Sequence, residues 1–127
     1  MNINSKQIAQ VMSLSGEKRY QHFIKVIADW EIVWGLYDKG WALSETDDKE
    51  RVFPVWPAKE YAELCAENEW SGYEARSFSL EEFLSDFIPS LINDSVLIGV
   101  FSTPKQESVA VSGEQLINDL EVELENY

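Results

Sequence analysis

The chain has 127 residues, 45% of them hydrophobic and 13% aromatic, which excludes a disordered protein and suits one folded domain over residues 1–127. It carries 23 acidic and 10 basic residues, a formal net charge of -13. A field of that sign repels nucleic-acid phosphates and anionic membrane surfaces. We therefore expect no nucleic-acid or membrane partner, and the charge favours a protein partner with a basic surface.

The N-terminus and the single cysteine indicate the cellular compartment. The first residues lack the basic-then-apolar order of a signal peptide. The longest strongly apolar run, Val96 to Phe101, is far shorter than the roughly 20 residues that span a bilayer. Cys65 is the only cysteine, so an internal disulfide is impossible, as suits a reducing compartment. These features predict a soluble cytoplasmic protein.

The N-terminal segment predicts two helices joined by a tight turn at Ser15 and Gly16. The first covers residues 5 to 15, with Asn4 or Ser5 as its cap. The second has an apolar stripe with helical spacing, formed by Tyr20, Phe23, Ile24 and Ile27. Its other face carries the basic patch of Lys18, Arg19, His22 and Lys25. We expect a helical hairpin whose basic face lies in solvent.

The central segment predicts a three-stranded antiparallel meander. Its strands are Ile32–Tyr37, Trp41–Leu43 and Arg51–Val55. Pro54 lacks an amide hydrogen, so the third strand should lie at a sheet edge or pair on one side there. A helix over Ala58–Glu69 follows, with Pro57 at its start.

The next segment predicts a short strand over Tyr73–Phe78 and then a helix. That helix begins at a capping box formed by Ser79 and Glu82, which satisfy each other's backbone amides. Pro89 should kink or end the helix near Asp86, because proline removes one helical hydrogen bond.

The C-terminal segment predicts a hairpin followed by a last helix. The apolar run Val96–Phe101 indicates a central strand, and Ser108–Val111 should pair back on it. A second capping box, Ser112–Gln115, begins the last helix. The whole pattern predicts an α+β fold, in which a small, mostly antiparallel sheet of about five to six strands packs with about five helices.

Several of these segments resemble one known family. They are Trp30–Tyr37, Gly40–Leu43, Val52–Pro57, Glu60–Ala62, Ser79–Leu84 and Phe101–Pro104. Together they resemble, over almost the whole chain, a bacterial family known only as domain of unknown function 2750. The resemblance implies a small stand-alone bacterial protein, with no established activity and no assigned catalytic or binding residue. The strand ending in Pro-Val-Trp-Pro is also similar to small immunity-like and secretion-associated bacterial domains.

The sequence lacks the short motifs of the common enzyme classes, such as a P-loop or a G-x-S-x-G elbow. His22 is the only histidine, which excludes multi-histidine metal sites, and its place on the basic face predicts solvent exposure. Cys65 lies on the apolar face of its helix, which predicts a packing role. We therefore expect no enzyme, no cofactor and no metal.

The five tryptophans leave two interpretations open. All five indoles fit within the core of a domain this size. If Trp56 is instead partly exposed beside Tyr73 and Arg76, it makes an anchor for a protein partner, since these residue types dominate interface hot spots. The candidate contact residues are Trp34, Trp41, Trp56, Tyr73 and Arg76.

These features favour a non-enzymatic protein-interaction module, of an immunity-like or inhibitory kind, that uses an acidic surface and exposed aromatic residues. A homodimer is the competing use of the same surface. The alternative is a small-ligand-binding domain, whose cleft is lined by Trp34, Trp41 and Trp56.

Overall fold

The computed structural model describes residues 3–127, so Met1 and Asn2 of the N-terminal segment lie outside the described part. The helices are α1 (Ser5–Met12), α2 (Gly16–Trp30), α3 (Lys59–Leu64), α4 (Leu80–Glu82), α5 (Ile88–Asn93) and α6 (Gly113–Leu124). A 3₁₀ turn covers Asn68–Trp70, and a π-helical turn, Phe83–Phe87, joins α4 to α5. The strands are β1 (Ile32–Tyr37), β2 (Ser44–Glu45), β3 (Arg51–Val55), β4 (Glu74–Ser79), β5 (Leu97–Val100) and β6 (Val109–Val111).

The strands form two small sheets, β1–β4 and β2–β3–β5–β6. All strand pairs are antiparallel except β3 with β5, which run parallel. Two backbone hydrogen bonds between Trp34 and Trp56, of 3.0 and 2.8 Å, join one sheet to the other. The predicted α+β fold is confirmed, with its mostly antiparallel strands, about five helical segments and N-terminal helix pair. The predicted β5–β6 hairpin and the central position of β5 are confirmed as well.

The predicted meander is wrong. Strand β1 pairs along its whole length with β4, and β3 takes β5 as its parallel partner. Trp41 makes only an isolated bridge to Tyr37. Its indole instead covers Gly35, where an added Cβ would lie 3.0 Å from the ring. The chain after β1 therefore turns aside to place this ring in the core, and a distant strand completes the pairing.

Pro54 lies inside a sheet, and its missing amide hydrogen costs no hydrogen bond between strands. The carbonyl of Val55 accepts from the amide of Phe101 at 2.9 Å, so this residue faces β5. Pro54 therefore faces the opposite side, between the Trp34–Trp56 bridge and the pairing of Val52 with β2. The prediction of one-sided pairing at this proline is confirmed, although β3 is not an edge strand.

Several helix ends differ from the sequence prediction. Helix α1 ends at Met12, and α3 covers only Lys59–Leu64 instead of Ala58–Glu69. Pro89 does not end its helix, since α5 continues to Asn93, but the α-helix is interrupted near Asp86 by the wide π-helical turn Phe83–Phe87.

One of the two predicted capping boxes is confirmed. The Ser79 hydroxyl accepts from the Glu82 amide at 3.0 Å, and the Glu82 carboxylate accepts from the Ser79 amide at 3.1 Å. At the start of α6 only half of the motif forms. Ser112 accepts from the Gln115 amide, whereas the Gln115 side chain donates to Asp119.

The hydrophobic core lies where the two sheets meet the helices. Trp41 makes edge contacts with Phe53, Phe78 and Phe87, and Phe78 stacks on Phe87 with ring centroids 4.2 Å apart. Offset and edge-to-face arrangements of this kind add stability beyond the area they bury. Within residues 3–127, none of the helices combines the length and the apolar character that crossing a bilayer requires.

Candidate functional site: an acidic cleft

A cleft of about 590 Å³ lies over one face of the four-stranded sheet. Its floor is made by Val52 and Pro54 of β3 and by Ala110 of β6. Gly99 lies beside Pro54 and Ala110 in register, and an added Cβ there would collide with Val52 and Ser108. The small residue in β5 thus lets the neighbouring side chains close the floor.

Two turns contribute to the walls of this cleft, and each is organised by a threonine. In the first wall, Thr46 accepts from the Glu50 amide through its hydroxyl at 3.2 Å. In the second wall, the Thr103 hydroxyl accepts from the amides of Lys105 and Gln106 at 3.2 and 2.9 Å. Such side-chain bonds to nearby backbone fix a turn without regular secondary structure.

The charges around the cleft are mostly negative. Within residues 3–127 its lining includes one lysine, Lys105, and five carboxylates, which are Glu45, Asp47, Asp48, Glu69 and Glu107. All six side chains belong to exposed residues. A concave surface lined by one sign of charge concentrates its field, so this cleft attracts cations.

Trp70 supplies the aromatic part of the wall. It is half-buried and meets Trp56 edge-on, with ring centroids 6.1 Å apart and an interplanar angle of 89°. Trp56 is 0% exposed, and its indole N–H donates to the Ser102 carbonyl at 2.9 Å. The wall indole is therefore held against a fixed, buried indole. Trp70 was not among the predicted contact residues, although it alone among the tryptophans lies outside the Trp30–Trp56 segment.

The five predicted contact residues do not form this site. Trp56 is buried and bonded, so the interpretation that has it partly exposed beside Tyr73 and Arg76 is wrong and the core interpretation holds at this position. Trp34, Trp41 and Tyr73 are half-buried. Arg76 is exposed, lies 3.8 Å from the Tyr37 ring centroid and pairs with Glu74 at 3.2 Å. None of the five lines the cleft described above, whose aromatic residue is Trp70.

The alternative of five core tryptophans is also wrong at one position. Trp30 ends α2 and is 52% exposed. The remaining indoles are buried or half-buried, as the core interpretation predicted.

The basic face predicted for α2 is wrong at Arg19, which is buried. Arg19 is 1% exposed, and burial lowers its pKa. Its Nε donates to the Phe101 carbonyl at 2.9 Å, and its Nη2 to the Glu107 carbonyl at 3.0 Å. Its Nη1 donates to the Leu14 carbonyl at 2.8 Å and to Gln106 Oε1 at 2.6 Å. The sequence prediction failed because Arg19 shares a face with other basic residues, and the acceptors that allow its burial are not visible in the sequence.

His22 is half-buried instead of exposed. Its ring lies 6.1 Å from that of Phe101, and burial lowers the pKa of its imidazole. Cys65 is buried in the hydrophobic core, which confirms its packing role, and burial raises the pKa of its thiol. Within residues 3–127, no three His, Cys, Asp or Glu side chains are grouped so that they would hold a metal ion.

One protein family matches most of the chain, including every residue that lines the cleft. The family described as "Protein of unknown function (DUF2750)" matches residues 20–120. The chain belongs to this family. The comparisons with curated proteins and with solved structures found no match. The family resemblance predicted from the sequence is thereby confirmed.

The match places every lining residue of the acidic cleft within the region that defines a DUF2750 protein. Helix α1 and Arg19 precede that region. Chemically, the cleft of this DUF2750 protein offers solvated carboxylates, hydroxyl groups and one indole face. This set suits binding of a positively charged group through charge and cation–π contact.

Proposed function

We propose that this DUF2750 protein is a non-enzymatic interaction module, which binds a basic segment of another protein in the acidic cleft. One observation carries the proposal: five carboxylates and the Trp70 indole surround a single concave surface of about 590 Å³. The formal net charge of -13 adds long-range attraction toward such a partner. An inhibitory or immunity-like action is the narrower form, in which the bound segment is covered and loses its own contacts.

The exposure of the carboxylates determines what kind of ligand suits the cleft. An exposed ion pair contributes only about 0–1 kcal/mol, so one pair would not hold a partner. Several pairs along an extended segment, together with a cation–π contact to Trp70, would add to a useful affinity. A segment with more than one arginine or lysine meets this condition, which favours a protein partner over a small ligand.

The exposed charges of α2 argue for a foreign partner and against self-association. Of its predicted basic patch, only Lys18 and Lys25 are exposed, while Arg19 is buried. Two separate lysines on one helix face match poorly the dense negative lining of the cleft. A partner richer in basic residues would satisfy it better.

The proposal is tested with a capped, unstructured peptide of four Gly-Arg repeats, titrated calorimetrically. We expect binding that weakens as salt rises, because screening shortens the reach of exposed charges. A triple variant of the first wall, Glu45→Gln with Asp47→Asn and Asp48→Asn, should bind about tenfold more weakly. The control triple variant carries Asp29→Asn, Glu121→Gln and Glu125→Gln, which remove three exposed charges outside the cleft.

The control triple variant should keep most of the peptide affinity, and Trp70→Ala should lose affinity at unchanged net charge. Equal losses in the two triple variants would mean that the peptide follows total charge only, and the cleft proposal would be wrong. Binding of a single arginine amide as tightly as the peptide would instead favour the small-ligand alternative.

A further inference from the structure

Arg19 is a buried cation, and none of its four hydrogen-bond acceptors within residues 3–127 is a carboxylate. Its acceptors are three backbone carbonyls and one amide oxygen. Burying an unpaired charge is unfavourable unless hydrogen bonds compensate for lost solvation. Three of the four bonds go to Phe101, Gln106 and Glu107, so most of the compensation comes from one short segment.

That segment is residues 101–107, and all of it after Phe101 lines the cleft as the second wall. It begins in an unfavourable conformation, since Phe101 is a buried aromatic residue with φ of 55°. Such a conformation persists only where the surroundings hold it. The Arg19 Nε bond to the Phe101 carbonyl and the packing of this ring on Tyr61, at 4.8 Å, supply that hold.

The orientation of the Gln106 amide follows from the same guanidinium. Arginine has only donors, so the atom that it contacts at 2.6 Å is the amide oxygen. With the oxygen held by Arg19, the Nε2 hydrogens face the other way. Gln106 is exposed and lines the cleft, and the hydrogen bonds described for residues 3–127 include none from its Nε2.

We infer that Arg19 is a positioning residue, which fixes the second wall and turns the Gln106 amide so that its N–H groups face the cleft. This inference rests on the proposed function and deepens it. The Gln106 donor would bind a main-chain carbonyl of the bound segment. Carboxylates recognise basic side chains but repel carbonyl oxygens, so a neutral donor gives this acidic cleft a way to distinguish a peptide from another polycation.

The variant Gln106→Glu separates a hydrogen-bond donor from simple charge. It keeps the shape of the side chain and its bond to Arg19, removes the N–H donor and adds a negative charge. The probes are the Gly-Arg peptide and spermine, a polyamine that has no carbonyl group. The added charge should tighten binding of both cationic probes, so the readout is the ratio of peptide affinity to spermine affinity. We expect this ratio to fall about three- to tenfold in the variant, the range for one hydrogen bond. An unchanged ratio would overturn the donor role.

The variant Arg19→Lys tests the positioning role without any ligand. Lysine keeps the charge, but its single ammonium group cannot replace the planar guanidinium that bonds to Leu14 and to the second wall at the same time. The readout is amide hydrogen exchange at Thr103 and Gln106, whose amides bond within the second wall at 2.9 Å. We expect exchange there to become at least about tenfold faster, while amides of β1 and β4 stay protected.

The positioning role of Arg19 and the proposed function can fail independently. Unchanged exchange in Arg19→Lys would overturn the positioning role even if the peptide binds. Failure of the wild-type chain to bind the peptide would instead remove the proposed function, with the exchange result still valid for the wall. If Arg19→Lys does not fold, Gln106→Ala provides the second variant. It removes one Arg19 bond from an exposed side chain, and the same two amides should exchange faster.

Discussion

The indole N–H of Trp56 donates to the carbonyl of Ser102 at 2.9 Å, and this bond connects the two chain segments that leave the parallel strands β3 and β5. The thiol of Cys65 reaches the same carbonyl at 3.4 Å. Because Trp56 is fully buried and contacts Trp70, the bond ties the aromatic wall of the cleft to the core. Trp56 therefore contributes both to the core and to the position of the cleft wall.

Trp56→Phe should destabilise the protein by about 2–4 kcal/mol, since it removes buried ring area and the hydrogen bond to the Ser102 carbonyl. The measurement is the free energy of unfolding from urea titration. Trp30→Phe is the matched control, because Trp30 is 52% exposed, and it should change the free energy by less than about 0.5 kcal/mol. Equal effects at the two positions would show that the buried indole has no special role.

The sequence predicted most elements of this fold because their signals are local. The Ser79–Glu82 capping box, the apolar β5 and the stripe of α2 each depend on a few neighbouring residues. Strand partners depend on distant residues instead. β1 pairs with β4, some forty residues away along the chain, whereas Trp41, in the predicted hairpin partner, covers the face of β1 at Gly35. Alternation indicates which face a strand buries and does not select its partner.

The candidate site was less predictable than the fold. The negative charge of the cleft follows from composition, but its position depends on three segments, 44–48, 69–70 and 102–108, that tertiary contacts bring together. Arg19 illustrates the limit, because its helical position resembles that of exposed Lys18. Its acceptors distinguish the two cations, and three of the four are the backbone carbonyls of Leu14, Phe101 and Glu107, which carry no sequence signal.

The hydroxyl of Tyr61 is buried and has no hydrogen-bond partner within residues 3–127. A buried polar group without a partner lowers stability, so its removal relieves a penalty. Tyr61→Phe should therefore leave stability unchanged or raise it by up to about 1 kcal/mol, as measured by urea titration. A loss above about 1 kcal/mol would mean that the hydroxyl has an unrecognised partner, such as a buried water.

Tyr61 also predicts a loss of stability in alkaline solution. Burial, and secondarily the charge of Glu60, raise its pKa from 10.0 to about 12. Between those pH values the unfolded chain releases this proton while the folded protein keeps it. Stability is thus complete below pH 10 and falls by up to about 1.4 kcal/mol per pH unit until about pH 12. Tyr61→Phe should reduce this slope, and an identical slope in both proteins would contradict the assignment.

His22 gives an acid-side prediction that one NMR signal can test. Burial lowers the pKa of its imidazole from 6.5, so the neutral form is favoured in the folded protein. The stability contributed by this group is complete above pH 6.5 and is lost as pH falls through its lowered pKa, because only the unfolded chain gains the proton in that window. As the only histidine, it should give one titrating ring signal with a midpoint below 6.5. A midpoint at or above that value would contradict its half-buried position.

Gly99 shows how closely the cleft floor packs. An added Cβ would collide with the Val52 side chain and lie 2.7 Å from the Ser108 hydroxyl, so a neighbour must move. Gly99→Ala should destabilise the protein by about 1–3 kcal/mol, as overpacking of a filled site does. Gly40→Ala is the matched control, because nothing lies within 4 Å of its added Cβ, and it should be neutral or slightly stabilising. Since Val52 and Ser108 also line the cleft, Gly99→Ala should weaken binding of the Gly-Arg peptide, whereas Gly40→Ala should not. Similar unfolding free energies for the two variants would show that the floor has room to relax.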